Sequence, residues 1–153
     1  MPIIVQRIYN EVIAHAKTEA PNEACGLLAG VPLRGTATTG LITEAYRITN
    51  LPSDDPRIAD LNISPDRRFR YMMDPKEQFL AMKEIRHKSM TLMGVYHSHP
   101  HSPAYPSITD VRLAFYSDIL YLIVSLENNK PDLRAFWIVD GKITEETIEI
   151  EQC

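Results

Sequence analysis

A chain of 153 residues with 44% hydrophobic side chains has the size of one domain, able to bury roughly 68–70% of the surface its unfolded form exposes. Its net charge of −4, from 16 Lys and Arg against 20 Asp and Glu with no basic stripe, lacks the electrostatic footprint of a nucleic-acid binder. Two cysteines, Cys25 and Cys153, stand far apart and outside any C-x-x-C pair, which argues against a disulfide framework or a cysteine zinc site and fits a reducing compartment.

No apolar run approaches the ~18 residues of a membrane span, and Met1 to Arg7 has no basic segment ahead of an apolar one, so a cytoplasmic protein without a membrane partner is expected. Ile3-Ile-Val5 reads as a short strand. Ile8, Val12, Ile13 and Ala16 then recur at helical spacing as far as Thr18, and Pro21 closes that helix. Ala24 to Gly30 reads as a buried strand and Thr36 to Thr49 as one or two more, with Gly30, Pro32 and Gly35 supplying the turn between them. The breaker-rich stretch from Asn50 to Arg70 is expected to be a long surface loop, of a length that is usually functional or mobile.

Asp74-Pro75-Lys76-Glu77 combines an Asp N-cap, Pro at the first helical position and Glu at the third, ahead of Phe79, Leu80, Met82 and Ile85. This predicts a second helix running to about His87. A strand follows from Thr91, then a Pro-rich loop from Pro100 to Pro106 and a third helix starting near Ser107. Strands at Ile119 to Leu126, Leu133 to Val139 and Ile143 to Ile150 close the chain, the last two joined by the hairpin signal Asp140-Gly141. Alternating helices and strands make the fold α/β.

The chemistry concentrates where the strand from Thr91 meets His97-Ser98-His99-Pro100. Side chains at i and i+2 of a strand share a face, so His97 and His99 point together. Asp110 follows eleven residues after His99. Two neutral imidazoles and one carboxylate leave a fourth tetrahedral position open, the arrangement of catalytic zinc, and one zinc ion per chain is expected. Ser107-x-x-Asp110 is also nearly a capping box, and the two readings are compatible, because a cap at Ser107 aims Asp110 back at the histidine strand. His101 is a rival third ligand, set aside because Pro100 breaks the alternation before it. Cys25 is read as a small buried apolar residue, and His15 and His87 as structural residues of their helices.

His97-Ser-His99-Pro100, the seven residues from Pro100 to Pro106, and Ser107-x-x-Asp110 together resemble the JAMM (MPN+) motif of zinc-dependent isopeptidases. The block Pro21-Asn-Glu23-Ala-Cys-Gly-Leu-Leu-Ala-Gly30 and the segments Ala104 to Ser107, Tyr121 to Ser125 and Ile138 to Gly141 extend the resemblance over essentially the whole chain. It implies a single-domain curved mixed β-sheet sandwiched by helices, cytidine-deaminase-like. It also implies that His97, His99 and Asp110 are zinc ligands, that Glu23 moves a proton from the attacking water, and that Ser107 donates to the developing oxyanion. Spacing alone does not choose Glu23 over Glu11, Glu19 or Glu44. Zinc lowers the pKa of a water to about 7 and polarises the scissile carbonyl, so each implied role has a physical rationale.

Within that family the chain is most similar to small stand-alone bacterial peptidases. This implies a ubiquitin-like (β-grasp) sulfur carrier as partner, cut after its C-terminal Gly-Gly to release cysteine or a short tail. Deubiquitinase-like cleavage of other conjugates, or an inactive MPN scaffold, are the alternatives, the second opposed by the intact ligand set. A zinc deaminase is not expected, since H-x-E and P-C-x-x-C are missing. The stretch from Leu51 to Asp66 is longer than in compact bacterial members and is expected to be an insertion that contacts the carrier.

Overall fold

The structure, a computed structural model, describes residues 1–33 and 36–152. Gly35 and Cys153, used above for a turn and for the cysteine count, lie outside them. In chain order the elements are β1 (Ile3–Val5), α1 (Gln6–Glu19), β2 (Cys25–Leu33), β3 (Thr36–Ile48), α2 (Pro56–Ala59), α3 (Pro75–His87), β4 (Thr91–His99), α4 (Ile108–Arg112), β5 (Leu120–Ser125), β6 (Asp132–Val139), β7 (Lys142–Glu146) and β8 (Glu149–Glu151). The strands form one mixed sheet in the order β7-β6-β5-β4-β2-β3-β1-β8. β4 is central, antiparallel to β2 and parallel to β5.

The stretch Ile143 to Ile150, expected to be one strand, is two strands at opposite edges of this sheet. β7 pairs with β6, whereas β8 runs parallel to β1, where the Glu149 N–H also donates to the Pro2 carbonyl. Only residues 147 and 148 separate the two strands, a link of at most about 11 Å between Cα atoms. A flat sheet of this width would hold its edges roughly 33 Å apart, so the sheet must curl until they nearly meet. Ile148 packs into the core within the fold of that curl.

The helices cover opposite faces. Ile8, Val12 and Ala16 of α1 pack with Leu28, Ile42, Tyr96, Leu122 and Val124, while Ala81 and Ile85 of α3 pack with Leu27, Ala29, Val95 and Tyr121. This is the curved sheet between helices expected from the resemblance. In β4 the alternation slips once: the β2 partners step from Gly94 to Leu92 and leave Met93 as a bulge. Met93 turns into the α1-side cluster, and beyond it Val95 and the two histidines share the α3 side.

Gly30 and Pro32, expected in a turn, lie inside β2. Pairing with β4 ends at Gly30, so Pro32 has a neighbour on the β3 side alone and its missing N–H costs no ladder bond. A Cβ on Gly30 would collide with the Leu41 carbonyl of β3. The segment after β3 is largely exposed, as expected of a surface loop, yet it contains α2 and buries Leu51, Ile58 and Arg70. Among the described residues, no helix is long and apolar enough to cross a membrane.

Candidate active site

Three elements meet at the C-terminal end of β4. β4 carries His97 and His99 to one side; α4 begins at Ser107 and turns Asp110 back toward them; and Glu23 sits just ahead of β2, whose Cys25 lies opposite His97 in the ladder. One ligating atom from each of Glu23, His97, His99 and Asp110 lies within 4.8 Å of the others, and all four residues are buried. Among the described residues, neither His101, which is exposed, nor Cys25, which is buried, belongs to this cluster. Burial first, then the nearby Glu23 carboxyl, pushes the Cys25 thiol far up, and its Sγ–H donates to the Ile48 carbonyl.

His97 Nε2, His99 Nε2 and Asp110 Oδ2 form a triangle with every side 3.1 Å. Nitrogen and oxygen ligands about 2.0–2.1 Å from a tetrahedral zinc ion stand roughly 3.3 Å apart, so the triangle has close to the dimensions of one face of such a tetrahedron. The tautomer of His99 is set by its other nitrogen: Nδ1–H donates to the Pro103 carbonyl at 2.8 Å, leaving Nε2 to hold either a proton or a cation. His97 stacks on Tyr71, with ring centroids 4.4 Å apart. Its buried Nδ1 and the buried Glu23 Oε1 have no hydrogen-bond partner among the described residues. His97 Nε2, His99 Nε2, Asp110 Oδ2 and the Glu23 carboxyl, gathered together, suit a divalent cation.

The electrostatics follow from burial. Loss of solvent, reinforced by Asp110 and opposed by Arg70, raises the Glu23 carboxyl to about 9. Burial would push Asp110 up as well, but the charge of His97 and hydrogen bonds from His97, His99 and the Ser107 N–H outweigh it and hold Asp110 well below the usual carboxylate range. Glu23 is thus biased toward carrying a proton in the metal-free cluster and Asp110 toward staying ionised, the state in which a carboxylate can hold a metal.

The Ser107 capping box is complete: Oγ accepts from the Asp110 N–H at 3.0 Å, and the Ser107 N–H donates to Asp110 Oδ2 at 2.9 Å. Three supporting residues gave no sequence signal strong enough to select them. Ser98 Oγ accepts from the Ala24 N–H at 2.7 Å, Asn50 Nδ2 donates to the Glu23 carbonyl at 3.0 Å, and the buried Arg70 donates to the carbonyls of Ser64 and Pro65. Only the position of Ser98 between the two histidines hinted at its place. Beside the cluster an apolar cleft is lined by Tyr71, Met73, Val95, Leu113, Phe115 and Tyr121.

Comparison with known proteins agrees with this architecture. The CysO-cysteine peptidase of Mycobacterium tuberculosis is 32% identical over 151 residues, covering 97% of this chain and 90% of that protein. The probable TtuB-protein conjugate cleaving protease of Thermus thermophilus is 30% identical over 135 residues, covering 88% and 74%. A solution structure of a Desulfitobacterium hafniense protein superposes with a TM-score of 0.81 at 35% identity, over 99% of this chain and 94% of that one. Residues 5–139 match the family model for prokaryotic homologs of the JAB domain, and the chain belongs to that family.

Proposed function

We propose that this chain is a zinc-dependent peptidase that hydrolyses the peptide or isopeptide bond following the C-terminal Gly-Gly of a ubiquitin-like sulfur carrier, in the cytoplasm. The observation that carries the reading is the convergence of Glu23, His97, His99 and Asp110, all buried, within 4.8 Å. The names of the Mycobacterium and Thermus relatives, a carrier–cysteine peptidase and a conjugate-cleaving protease, support the substrate class.

His97, His99 and Asp110 would hold one zinc ion, which when bound supplies a water of lowered pKa and a Lewis acid for the carbonyl. Glu23 takes a proton from the attacking water and returns it to the leaving nitrogen, so that a C–O bond forms, the C–N bond breaks, and a glycine carboxylate and an amine are released. Ser107 Oγ accepts from the Asp110 N–H, which leaves the hydroxyl proton free to donate to the developing oxyanion. The extended Gly-Gly tail suits a narrow approach because glycine has no side chain to clash, and exposed Ile108, the first residue of α4, and Phe115, just beyond its end, offer apolar surface to the carrier body.

The test is intact-mass analysis of two substrates incubated with the zinc-loaded chain. One is a ubiquitin-like sulfur carrier extended after Gly-Gly by a single cysteine, and the other is the same carrier joined through Gly-Gly to a lysine side chain. Cleavage after Gly-Gly in either is expected, and the ratio of rates assigns the leaving group. No cleavage of either substrate by protein with one zinc per chain would refute the proposal.

A further inference from the structure

Glu23 is held differently from His99 and Asp110. His99 is oriented through Nδ1 on the Pro103 carbonyl and Asp110 through the Ser107 N–H, but among the described residues no donor reaches Glu23 Oε1. The backbone around it is bonded at every polar group instead. The Glu23 N–H donates to the Arg67 carbonyl at 2.8 Å, and the Glu23 carbonyl accepts from Asn50 Nδ2 at 3.0 Å. The Ala24 N–H donates to Ser98 Oγ, and the Ala24 carbonyl accepts from the Ser98 N–H at 3.0 Å. A side chain without a tether of its own points where its Cα frame sends it.

Asn50 is the centre of that frame. The buried side-chain amide uses its full capacity: Nδ2 donates to the Glu23 and Arg70 carbonyls, both at 3.0 Å, while Oδ1 accepts from the Met72 N–H at 2.9 Å and from Arg70 Nη1. Arg70, also buried, sends Nε to Ser64 O at 3.1 Å and Nη2 to Pro65 O at 2.8 Å. Closing the segment between Asn50 and Met72 needs only the bonds within it. The bond to Glu23 leaves that segment and grips the residue ahead of β2. A buried network with every member satisfied is rigid, and rigidity is what an untethered carboxyl requires from its support.

We propose that Asn50 is a positioning residue for Glu23, its amide clasping the Glu23 carbonyl and anchoring it through Arg70 to the segment after β3, so that this hub sets the aim of the Glu23 carboxyl. The inference rests on the reading of Glu23 as proton carrier. Asn50→Asp removes the clasp together with the Nδ2 bond to the Arg70 carbonyl, because a carboxylate still accepts from Arg70 and the Met72 N–H but has no proton for either carbonyl, and the Glu23→Gln background separates the two losses.

The substrate is the carrier extended by one cysteine, and zinc content, melting temperature, kcat and KM are measured together. Asn50→Asp should retain one zinc and an unchanged KM while kcat falls by about 10- to 100-fold, the scale of a misplaced catalytic group. Added to Glu23→Gln it should cause no further loss, since the group it aims is gone. Full kcat in zinc-loaded Asn50→Asp, or an undiminished further loss on the Glu23→Gln background, overturns the inference. Should Asn50→Asp fail to fold, Arg70→Lys replaces it: an ammonium cannot reproduce the guanidinium fork, so a smaller fall in kcat, absent on the Glu23→Gln background, is expected, and a fall that persists there overturns it. Full activity of Glu23→Gln alone instead refutes the reading on which the inference rests, so the two failures are distinct.

Discussion

Ser107 and Asp110 hold each other by two hydrogen bonds of opposite sense, Oγ accepting from the Asp110 N–H and the Ser107 N–H donating to Asp110 Oδ2. Ser107→Ala removes the first and keeps the second, which comes from the backbone, so Asp110 stays aimed and the zinc content should not change. Loss of the cap should cost about 1 kcal/mol of stability. If the hydroxyl also serves the oxyanion, kcat should fall by about 10²–10³. Full activity with a lowered melting temperature would leave Ser107 a cap alone.

Metal analysis of His99→Ala and His101→Ala, both purified from zinc-replete medium, tests the ligand set. His99 places Nε2 3.1 Å from both partners, whereas His101 is exposed and outside the cluster. His99→Ala should lose the ion and His101→Ala should keep one per chain. The reverse pattern would overturn the assignment.

What the sequence revealed was local. Asp74, Pro75 and Glu77 marked the start of α3, with Asp74 Oδ1 accepting from the N–H groups of Lys76 and Glu77. Asp140-Gly141 made the β6–β7 hairpin, where both residues adopt positive φ. Alternation put His97 and His99 on one face, and the spacing to Asp110 brought its carboxylate to them. Glu23 was reachable only through the family resemblance, because its place depends on β2 lying beside β4. The passage from β7 to β8 was hidden for a similar reason: Thr147 and Ile148 carry no turn signature, and pairing with β1 is a contact between the two ends of the chain. Asn50 read as one more loop residue, since a side-chain amide reaching Glu23 across 27 positions leaves no periodic trace.

Glu23 should make the metal-free protein sensitive to alkali. Burial raises its carboxyl from 4.5 to about 9, so the unfolded chain ionises first as pH rises. The stabilising contribution of the buried neutral acid is complete below about 4.5 and is lost as pH climbs toward about 9. Glu23→Gln keeps the shape and does not titrate. After chelation the variant should melt above the wild type by a margin that widens from pH 5 to pH 8, and a constant margin would show that Glu23 is not held neutral.

His15 should act in the opposite direction. Burial, helped by the charge of Arg47, lowers its imidazole from 6.5 to about 4, and Nδ1 lies 2.7 Å from the Tyr96 hydroxyl inside the α1-side core. A depressed folded value gives stability that is present above about 6.5 and lost as pH falls toward about 4. His15→Gln can keep a hydrogen bond to Tyr96 without titrating. Its melting temperature should therefore decline less than that of the wild type across this window, and parallel declines would reject the account.

Carrier recognition was expected to lie in the stretch from Leu51 to Asp66, but its bonding says that this stretch also builds the site. Arg70 is anchored on the carbonyls of Ser64 and Pro65, and Arg112, two residues beyond Asp110, donates to the carbonyls of Leu61 and Asn62. Deleting residues 51–66 removes all four acceptors, so turnover should fall alike for the intact carrier and for a short peptide containing Gly-Gly. Recognition separate from catalysis is better sought at Ile108 and Phe115, which are 89% and 76% exposed and lie at the start of α4 and just past its end without entering the cluster. Changing both to Ser should raise KM for the carrier by about tenfold, the loss of one modest apolar anchor, and leave the peptide unaffected. If the deletion spares the peptide while the double change spares the carrier, then the segment after β3 is the docking surface and the apolar rim of α4 is not.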